Sequence, residues 1–208
     1  MQIMPEVINV KNLSKNEIND VGKKAAEVLK KGGIIIFPTE TVYGIGADIE
    51  NKQAIEKIYK IKKRDARKPF SYHIGDLSHI NAKEIPEKYQ AVIKHFLPGP
   101  LTLIYYSPSL NSKVGVRYPK CPVFLSIAKN LGRALAGTSV NISTEKSVFC
   151  IEDVNKEILS QVDLVIDAGF TEYKTDSTIL DISTDELKIL REGPVSRAEI
   201  ERIIVHGR

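Results

Sequence analysis

Short hydroxyl side chains and basic residues recur at the ends of the strands that the sequence predicts. The hydroxyl pairs are Thr39 with Thr41, Thr138 with Ser139, and Ser177 with Thr178, and the basic residues are Arg64, Lys68, Arg117 and Arg191. Hydroxyl and guanidinium groups suit phosphate and carboxylate, and an arginine can grip either anion through two parallel hydrogen bonds. The chemistry that these residues favour is therefore the binding and neutralisation of anions.

Arg191 shares strand parity with Leu187 and Ile189, which form an apolar face. Because a buried unpaired charge is costly, this arginine needs an anion or a polar cavity. The sequence contains no Ser/His/Asp set with a nucleophile elbow, no metal-spaced His/Cys cluster and no carboxylate dyad. The residues therefore favour a reaction driven by positioning and charge neutralisation, such as nucleotidyl or phosphoryl transfer.

The elements that must position these residues are organised around residues 32–48. This stretch begins as an apolar β-branched run, which predicts a buried strand, and Pro38 ends it. Gly44 and Gly46 then allow the backbone to turn or to approach a ligand. A dinucleotide fingerprint needs a third glycine where Ile49 stands, and the chain has no Gly-Lys-Ser/Thr phosphate loop. A plain strand-loop-helix connection is the alternative to a ligand site here.

A basic run follows on the next predicted helix, which covers about residues 52–63. Residues 57–68 contain seven basic side chains and one acid, Asp65. Lys60 and Arg64 are four residues apart and therefore share a helix face. A solvated face is the usual explanation of such a run. The location of this run, at a helix C-terminus just before a strand, favours an anion site instead.

The strand predicted over residues 70–74 places Ser71 and His73 on one face and apolar side chains on the other. A lone histidine on a strand is most often structural, but sharing a polar face with Ser71 favours a cavity position. Further strands are predicted at 7–10, 101–106, 114–117, 134–138, 162–167, 177–181 and 187–190, and helices at 14–31, 86–97, 123–130 and from 196 onward.

The composition limits the class of protein. A chain of 208 residues with 42% hydrophobic content suits one globular domain, or one domain and a small appendage. No apolar run approaches the roughly 20 residues that span a bilayer, and the N-terminus lacks a signal-peptide pattern. Cys121 and Cys150 form no ligand pair and indicate a reducing compartment. The net charge of +4 tolerates an anionic partner without requiring one.

Seven motifs follow one another along the chain: residues 37–46, the Lys-x-Arg region at 62–69, then 98–102, 116–119, 138–141, 176–178 and 190–193. In this order and spacing they resemble the YrdC/Sua5 family, the L-threonylcarbamoyladenylate synthases. Any one motif is weak, but the whole set covers about residues 15–205. The resemblance implies an α/β fold, with residues 1–208 as a single YrdC-like domain in which a twisted open mixed sheet and helices surround a large basic cavity. Because the chain stops at Arg208, it resembles the short form without a second C-terminal domain.

The resemblance implies a nucleotidyltransferase that converts L-threonine, bicarbonate and ATP into threonylcarbamoyl-AMP and pyrophosphate. This adenylate is the donor for N6-threonylcarbamoyladenosine in tRNA. The implied partners are the three substrates and a downstream threonylcarbamoyl-transferase complex, with direct tRNA contact left open. ATP is expected as a substrate together with Mg²⁺, and no resident metal is expected. A cytoplasmic protein without a membrane partner is implied.

The resemblance also implies roles for individual residues. Thr41, His73, Arg117, Gly137 and Ser177 match the pocket for L-threonine. Arg64, Lys68, Ser139, Ser147 and Arg191 match the ATP-binding side, Arg64 and Lys62 match catalytic positions, and Lys60 and Lys62 match secondary phosphate contacts. The physical chemistry agrees, because the threonine carboxylate needs a cation and Arg117 is one. A carbamate oxygen would then attack the α-phosphorus of ATP while basic side chains and Mg²⁺ neutralise the crowded oxygens.

Three positions depart from the family pattern. Val140 replaces an alanine in the Ser-Val-Asn motif, which is a tolerable exchange. Thr144 replaces the glycine that usually follows Ser143, so the loop leading to Ser147 is the least secure part of the ATP side. Lys68 stands where asparagine or another residue is common.

Two other functions stay open from the sequence. A module that binds tRNA or double-stranded RNA would use the basic run and would show a steep salt dependence, but it would not explain the hydroxyl-bearing strand ends. A carbamoyltransferase-type domain, as in hydrogenase maturation, is the second alternative. Proteins of that type carry acylphosphatase and zinc-finger segments, which this chain lacks.

Overall fold

A ten-stranded sheet runs through the computed structural model, which describes residues 5–184 and 186–206, apart from the side chain of Ala82. The strands are β1 Glu6–Asn9, β2 Ile35–Phe37, β3 Gly44–Asp48, β4 Ser71–His73, β5 Leu101–Ser107, β6 Ser112–Arg117, β7 Leu135–Ser139, β8 Leu164–Asp167, β9 Thr178–Asp181 and β10 Lys188–Arg191. The helices are α1 Lys15–Lys30, α2 Lys52–Ile61, α3 Gln90–Phe96, α4 Pro122–Leu131, α5 Lys156–Leu159 and α6 Arg197–His206.

The sheet is mixed, with the order β1-β8-β2-β3-β7-β4-β6-β5-β9-β10. Three groups of strands are parallel: β1 with β8 and β2, β4 with β6, and β5 with β9. The remaining neighbours are antiparallel. This architecture confirms the predicted α/β fold with a mixed open sheet.

Helices cover both faces of the sheet because side chains alternate along β2. Ile35 and Phe37 are buried in the same cluster as apolar residues of α1 and α4. Ile36 points to the other face and belongs to the cluster that contains apolar residues of α2. This alternation is the period of a strand that is buried on both sides. A third buried cluster unites α3 and α6 with β5, β6 and β9.

The position of α1 was predicted correctly from its N-capping residues. The Ser14 side chain accepts a hydrogen bond from the backbone of Glu17, and the Glu17 carboxylate accepts one from the backbone of Ser14. This capping box satisfies two of the amide groups that lack a partner at a helix N-terminus. The helix then runs to Lys30, within one residue of the predicted end.

The glycine-rich segment after Pro38 differs from the prediction. It was predicted as a turn or ligand loop, but Gly44–Asp48 is the buried strand β3, which pairs antiparallel with β2 and with β7. A Cβ atom at Gly44 would lie 2.6 Å from the Phe37 ring, and one at Gly46 would lie 2.9 Å from the same ring. These glycines are therefore needed so that the Phe37 ring can pack across the neighbouring strand.

None of the helices in the described residues is both long and apolar enough to cross a membrane.

Candidate functional site

Strand register brings together polar residues that are far apart in the sequence. His73 on β4 pairs with Arg117 on β6, and Arg117 pairs in turn with Thr102 on β5. In the neighbouring part of the sheet, Gly137 on β7 lies opposite Ser71 on β4. These residues therefore line one continuous wall, and none of these neighbours could be identified from sequence spacing alone.

The wall belongs to a cavity with a volume of about 230 Å³. Its lining is mostly polar and comes from seven strands and the segments beside them: Thr39, Thr41, Val42, Gly44, Arg64, Ser71, His73, Thr102, Arg117, Gly137, Thr138, Ser139, Asp176, Ser177, Ile179 and Arg191. Three of these side chains are arginines and one is a carboxylate. A concave site with few apolar groups and several cations is suited to a polar anionic ligand.

Arg117 is the most deeply placed cation of the cavity, with a side chain that is 4% exposed. Its guanidinium donates a hydrogen bond from Nη1 to the carbonyl of Gly99, and Nη2 lies 2.8 Å from Oε1 of Glu40. Burial lowers the pKa of Arg117, and the neighbouring Glu40 carboxylate opposes that shift. The ion pair thus holds a charged guanidinium in a region where water is largely excluded.

His73 is held beside Arg117 as a neutral imidazole. Burial, and secondarily the charge of Arg117, lowers the pKa of His73 to about 4. Nδ1 lies 3.2 Å from the carbonyl oxygen of Ser71, and since a carbonyl can only accept, Nδ1 carries the proton. Nε2 is then the acceptor nitrogen of the ring. A Cβ at position 137 would lie 2.7 Å from Nδ1, so Gly137 is needed for this placement.

The segment after β2 presents the hydroxyl group of Thr41 to the cavity. Thr39 Oγ1 donates to the carbonyl of Val42 at 2.6 Å and lies 3.0 Å from Thr41 Oγ1. Since the single hydroxyl proton of Thr39 is used in this way, Thr41 must be the donor between the two hydroxyls. The oxygen of Thr41 is left as an acceptor on the cavity wall, which suits a ligand amine or hydroxyl.

A second polar cluster joins β9 to β10. Arg191 donates from Nε to the carbonyl of Ser177 at 3.0 Å and from Nη2 to Ser177 Oγ at 3.2 Å. Its Nη1 lies 3.4 Å from Asp176, and Ser177 Oγ lies 2.8 Å from Thr102 Oγ1. Arg191 therefore does reach a polar cavity. Its side chain is 41% exposed, and a register shift between Ile189 and Arg191 interrupts the predicted alternation, so it does not lie on a buried apolar face.

Arg64 lines the cavity from the end of α2 and is only half buried. Its guanidinium donates from Nε to the carbonyl of Lys68 at 2.9 Å and from Nη2 to that of Pro69 at 3.2 Å. It also lies 5.4 Å from the centre of the Phe70 ring. Among the described residues no carboxylate lies within ion-pair distance of Arg64, and partial burial lowers its pKa. Its positive charge is available to a ligand.

Lys62 is also placed by the end of α2, but its side chain does not line the cavity. The amine donates to the backbone carbonyls of Ser139 and Asn141 and so holds the segment that follows β7. Burial, and secondarily the charge of Arg64, lowers the pKa of Lys62 to about 7. In this conformation Lys62 positions the segment that carries Ser139, and its catalytic role stays a prediction.

The structure therefore brings together most, but not all, of the predicted site residues. Thr41, His73, Arg117, Gly137, Ser177, Arg64, Ser139 and Arg191 line the cavity. Lys60 and Lys68 have exposed side chains and are not on the lining, and Ser147 reaches it only through a 2.9 Å hydrogen bond to Asp176. Thr102 and Asp176 were not predicted as site residues, although both lie inside the motifs at 98–102 and 176–178.

Comparisons with known proteins identify the family and the fold of this chain. A model of the Sua5, YciO and YrdC family, described as "Telomere recombination", matches residues 27–193. A putative threonylcarbamoyl-AMP synthase of Methanocaldococcus jannaschii is 35% identical over 97% of this chain and 100% of its own length. The threonylcarbamoyl-AMP synthase of Bacillus subtilis is 33% identical over 87% of this chain, which spans 56% of that relative's length.

The structure of Pyrococcus abyssi Sua5 complexed with L-threonine superposes on this fold with a TM-score of 0.85. The sequence identity is 32%, and the match covers 95% of this chain and 60% of the other. This chain therefore corresponds to one part of the longer relatives and to the whole of the shorter one.

Proposed function

Since the chain belongs to the Sua5, YciO and YrdC family, we propose that it synthesises threonylcarbamoyl-AMP and pyrophosphate from L-threonine, bicarbonate and ATP. The observation that carries this proposal is the cavity, whose two ends differ in burial and in free charge. We call the part at Arg117 and His73 the buried end and the part at Arg64 and Ser139 the open end. A small amino acid fits the first, and a polyphosphate fits the second.

At the buried end, the fork of Arg117 is suited to the carboxylate of L-threonine, because carboxylate and guanidinium have matching geometry. The neutral His73 and the oxygen of Thr41 can both accept hydrogen bonds from the threonine amine or hydroxyl. Gly137 leaves room for the imidazole itself, since a Cβ there would lie 2.7 Å from Nδ1. The P. abyssi relative that was solved with L-threonine supports the assignment of an amino acid to this fold.

At the open end, Arg64 supplies a charge that no carboxylate of the described residues compensates. Arg191 and the hydroxyl group of Ser139 lie on the same lining. These groups would neutralise the phosphate oxygens of ATP as negative charge accumulates in the transition state. Lys62, through the segment after β7, would position Ser139 for this contact.

The chemical step follows from the two assignments. The amine of threonine combines with bicarbonate to give a carbamate and water, and a carbamate oxygen then attacks the α-phosphorus of ATP and displaces pyrophosphate. The protein's contribution is to hold the two reactants close together and to neutralise charge, which can supply several orders of magnitude in rate.

We assign Mg²⁺ to the ATP rather than to a resident site. The described lining contains one carboxylate, Asp176, and both of its oxygens already contact protein groups, namely Ser147 and Arg191. No group of three or more potential metal ligands occurs among the described residues. Mg²⁺ is commonly bound through substrate phosphates and one or two carboxylates, so Asp176 is the residue that would contact it.

The product is a mixed anhydride, so a group transfer must consume it. We propose that a threonylcarbamoyl transferase acting on tRNA performs that step and that the protein works in the cytoplasm with its substrates. This adenylate donor role does not require the chain itself to bind tRNA.

Pyrophosphate release tests the proposal. Release should require ATP, L-threonine and bicarbonate together, and L-valine should support much less of it. Because valine lacks the hydroxyl, it leaves a buried polar group of the site unpaired, which costs roughly 1–3 kcal/mol. Equal turnover with valine, or turnover without bicarbonate, would show that the enzyme activates a different substrate.

A further inference from the structure

Glu40 is a buried carboxylate to which the proposed function gives no contact with substrate. Its side chain is 3% exposed, and Oε1 lies 2.8 Å from Nη2 of Arg117. Apart from this contact, neither carboxylate oxygen accepts a hydrogen bond from any described residue. Arg117 is its single ion-pair partner in the described part of the chain. Glu40 and Arg117 are therefore buried as a pair, in which the carboxylate offsets the charge of the guanidinium.

Glu40 lies behind Arg117 and is not on the lining of the main cavity. It lines a smaller cavity of about 170 Å³ together with Cys121 and the exposed Glu172. The carboxylate therefore acts on a ligand of the main cavity only through the charge that it brings to Arg117.

The two ends of the main cavity consequently differ in net charge. At the buried end, Arg117 and Glu40 sum to zero within a region of low dielectric constant, where a single uncancelled charge has a large effect. Arg191 is close enough to act on the charge of Arg117, but Asp176 compensates it. At the open end, Arg64 has no acidic partner among the described residues. The open end is therefore cationic and the buried end is neutral.

A neutral end accepts a neutral ligand. The carboxylate and ammonium of an amino acid also sum to zero, whereas a phosphate group brings up to two negative charges and would leave them uncompensated beside Glu40. We propose that Glu40 is a specificity-determining residue, which cancels the charge of Arg117 and so excludes phosphate groups from the amino-acid end of the cavity. The proposal deepens the proposed function and rests on it, because it assumes that the buried end binds L-threonine.

The test is competition between inorganic phosphate and L-threonine, measured by isothermal titration with Glu40→Gln. The amide keeps the shape of the side chain and removes its charge. In the wild type, phosphate should weaken ATP binding but leave threonine binding unchanged. In Glu40→Gln, phosphate should bind about 10-fold or more tightly than in the wild type, as expected for one gained charge-assisted contact, and should compete with threonine.

Two control variants make the result specific. Glu172→Gln removes an exposed carboxylate from the same small cavity and should behave as the wild type. Glu40→Asp keeps the charge and should restore the exclusion of phosphate. A Glu40→Gln protein in which phosphate does not compete with threonine would overturn the proposal, since a purely structural role for Glu40 predicts that result.

Glu40→Gln leaves Arg117 without its counter-charge, so the variant can fail to fold. The wild type can still test the proposal, because competition of phosphate with threonine in that protein would overturn it. Wild-type threonine binding also separates the two hypotheses. If threonine does not bind at all, the proposed function fails and this inference fails with it. If threonine binds and phosphate competes, only the inference fails.

Discussion

His73 shows how the surroundings of one residue set its chemistry. The imidazole packs edge-on against the rings of Phe37 and Phe124 and lies beside Arg117, which leaves it uncharged at neutral pH. The strand alternation predicted that His73 shares a polar face, but it carried no information on protonation. That property depends on burial and on a neighbouring charge from another strand, and neither can be obtained from local sequence.

The lowered pKa of His73 predicts a stability change in acid. As the pH falls from about 6.5 towards 4, the unfolded chain binds a proton before the folded protein does, so the folded state loses stability. With a folded pKa of about 4, the loss at His73 is about 3 kcal/mol. Urea unfolding at pH 7 and at pH 4.5 should show a smaller decrease for His73→Leu than for the wild type. His79→Gln, on an exposed residue, should leave the wild-type decrease unchanged.

Arg64 and Arg67 form a matched pair, because they are three residues apart and differ in what they contact. Arg64 lines the cavity, whereas the Arg67 side chain is 90% exposed and bonds Asp65 at 2.7 Å. Arg64→Ala should reduce kcat/KM for ATP about 10- to 100-fold, the value of one charge-assisted contact, with a nearly unchanged melting temperature. Arg67→Ala should leave both quantities unchanged. If the two variants turned over equally well, Arg64 would be part of a solvated face.

At the scale of elements, local signals were sufficient for some parts of the fold. The start of α1 could be predicted because the capping box lies within four consecutive residues, Ser14 to Glu17. β3 was not predicted, because its glycines are required by the ring of Phe37 on the neighbouring strand. Part of the candidate site could not be predicted from the sequence for the same reason. The sequence motifs identified Arg117 and His73 as site residues, but only the register of β4 and β6 makes them neighbours.

Gly137 tests whether the close packing of β7 against β4 shapes the amino-acid end. A Cβ at this position would come within 2.7 Å of His73 Nδ1, so Gly137→Ala must displace the imidazole. Displacements of about 1 Å can cost on the order of 100-fold in rate, and we expect a loss of that order in kcat/KM for threonine. Gly115→Ala is the control on β6, because its Cβ would approach nothing more closely than the Ser71 hydroxyl at 3.1 Å. Equal losses in the two variants would mean that general strain in the sheet, and not the site, is responsible.

At the scale of the whole molecule, the basic run distinguishes an enzyme from an RNA-binding module. Lys57, Lys63 and Arg67 are exposed and do not line the cavity. Replacing all three with glutamine should leave pyrophosphate release in the absence of tRNA nearly unchanged. An RNA-binding module would instead lose its function and show a flatter salt dependence of tRNA binding. A triple variant that folds normally but no longer turns over would contradict the assignment of catalysis to the cavity.

The proposed function depends on a product in which threonine, the carbon of bicarbonate and AMP are joined in one molecule. The most direct measurement is mass spectrometry of the nucleotide product formed from ATP, L-threonine and ¹³C-labelled bicarbonate. We expect a threonylcarbamoyl adenylate that carries the ¹³C label and forms in an amount equal to that of pyrophosphate. An unlabelled threonyl adenylate, or pyrophosphate without any threonine-containing adenylate, would contradict the proposed function.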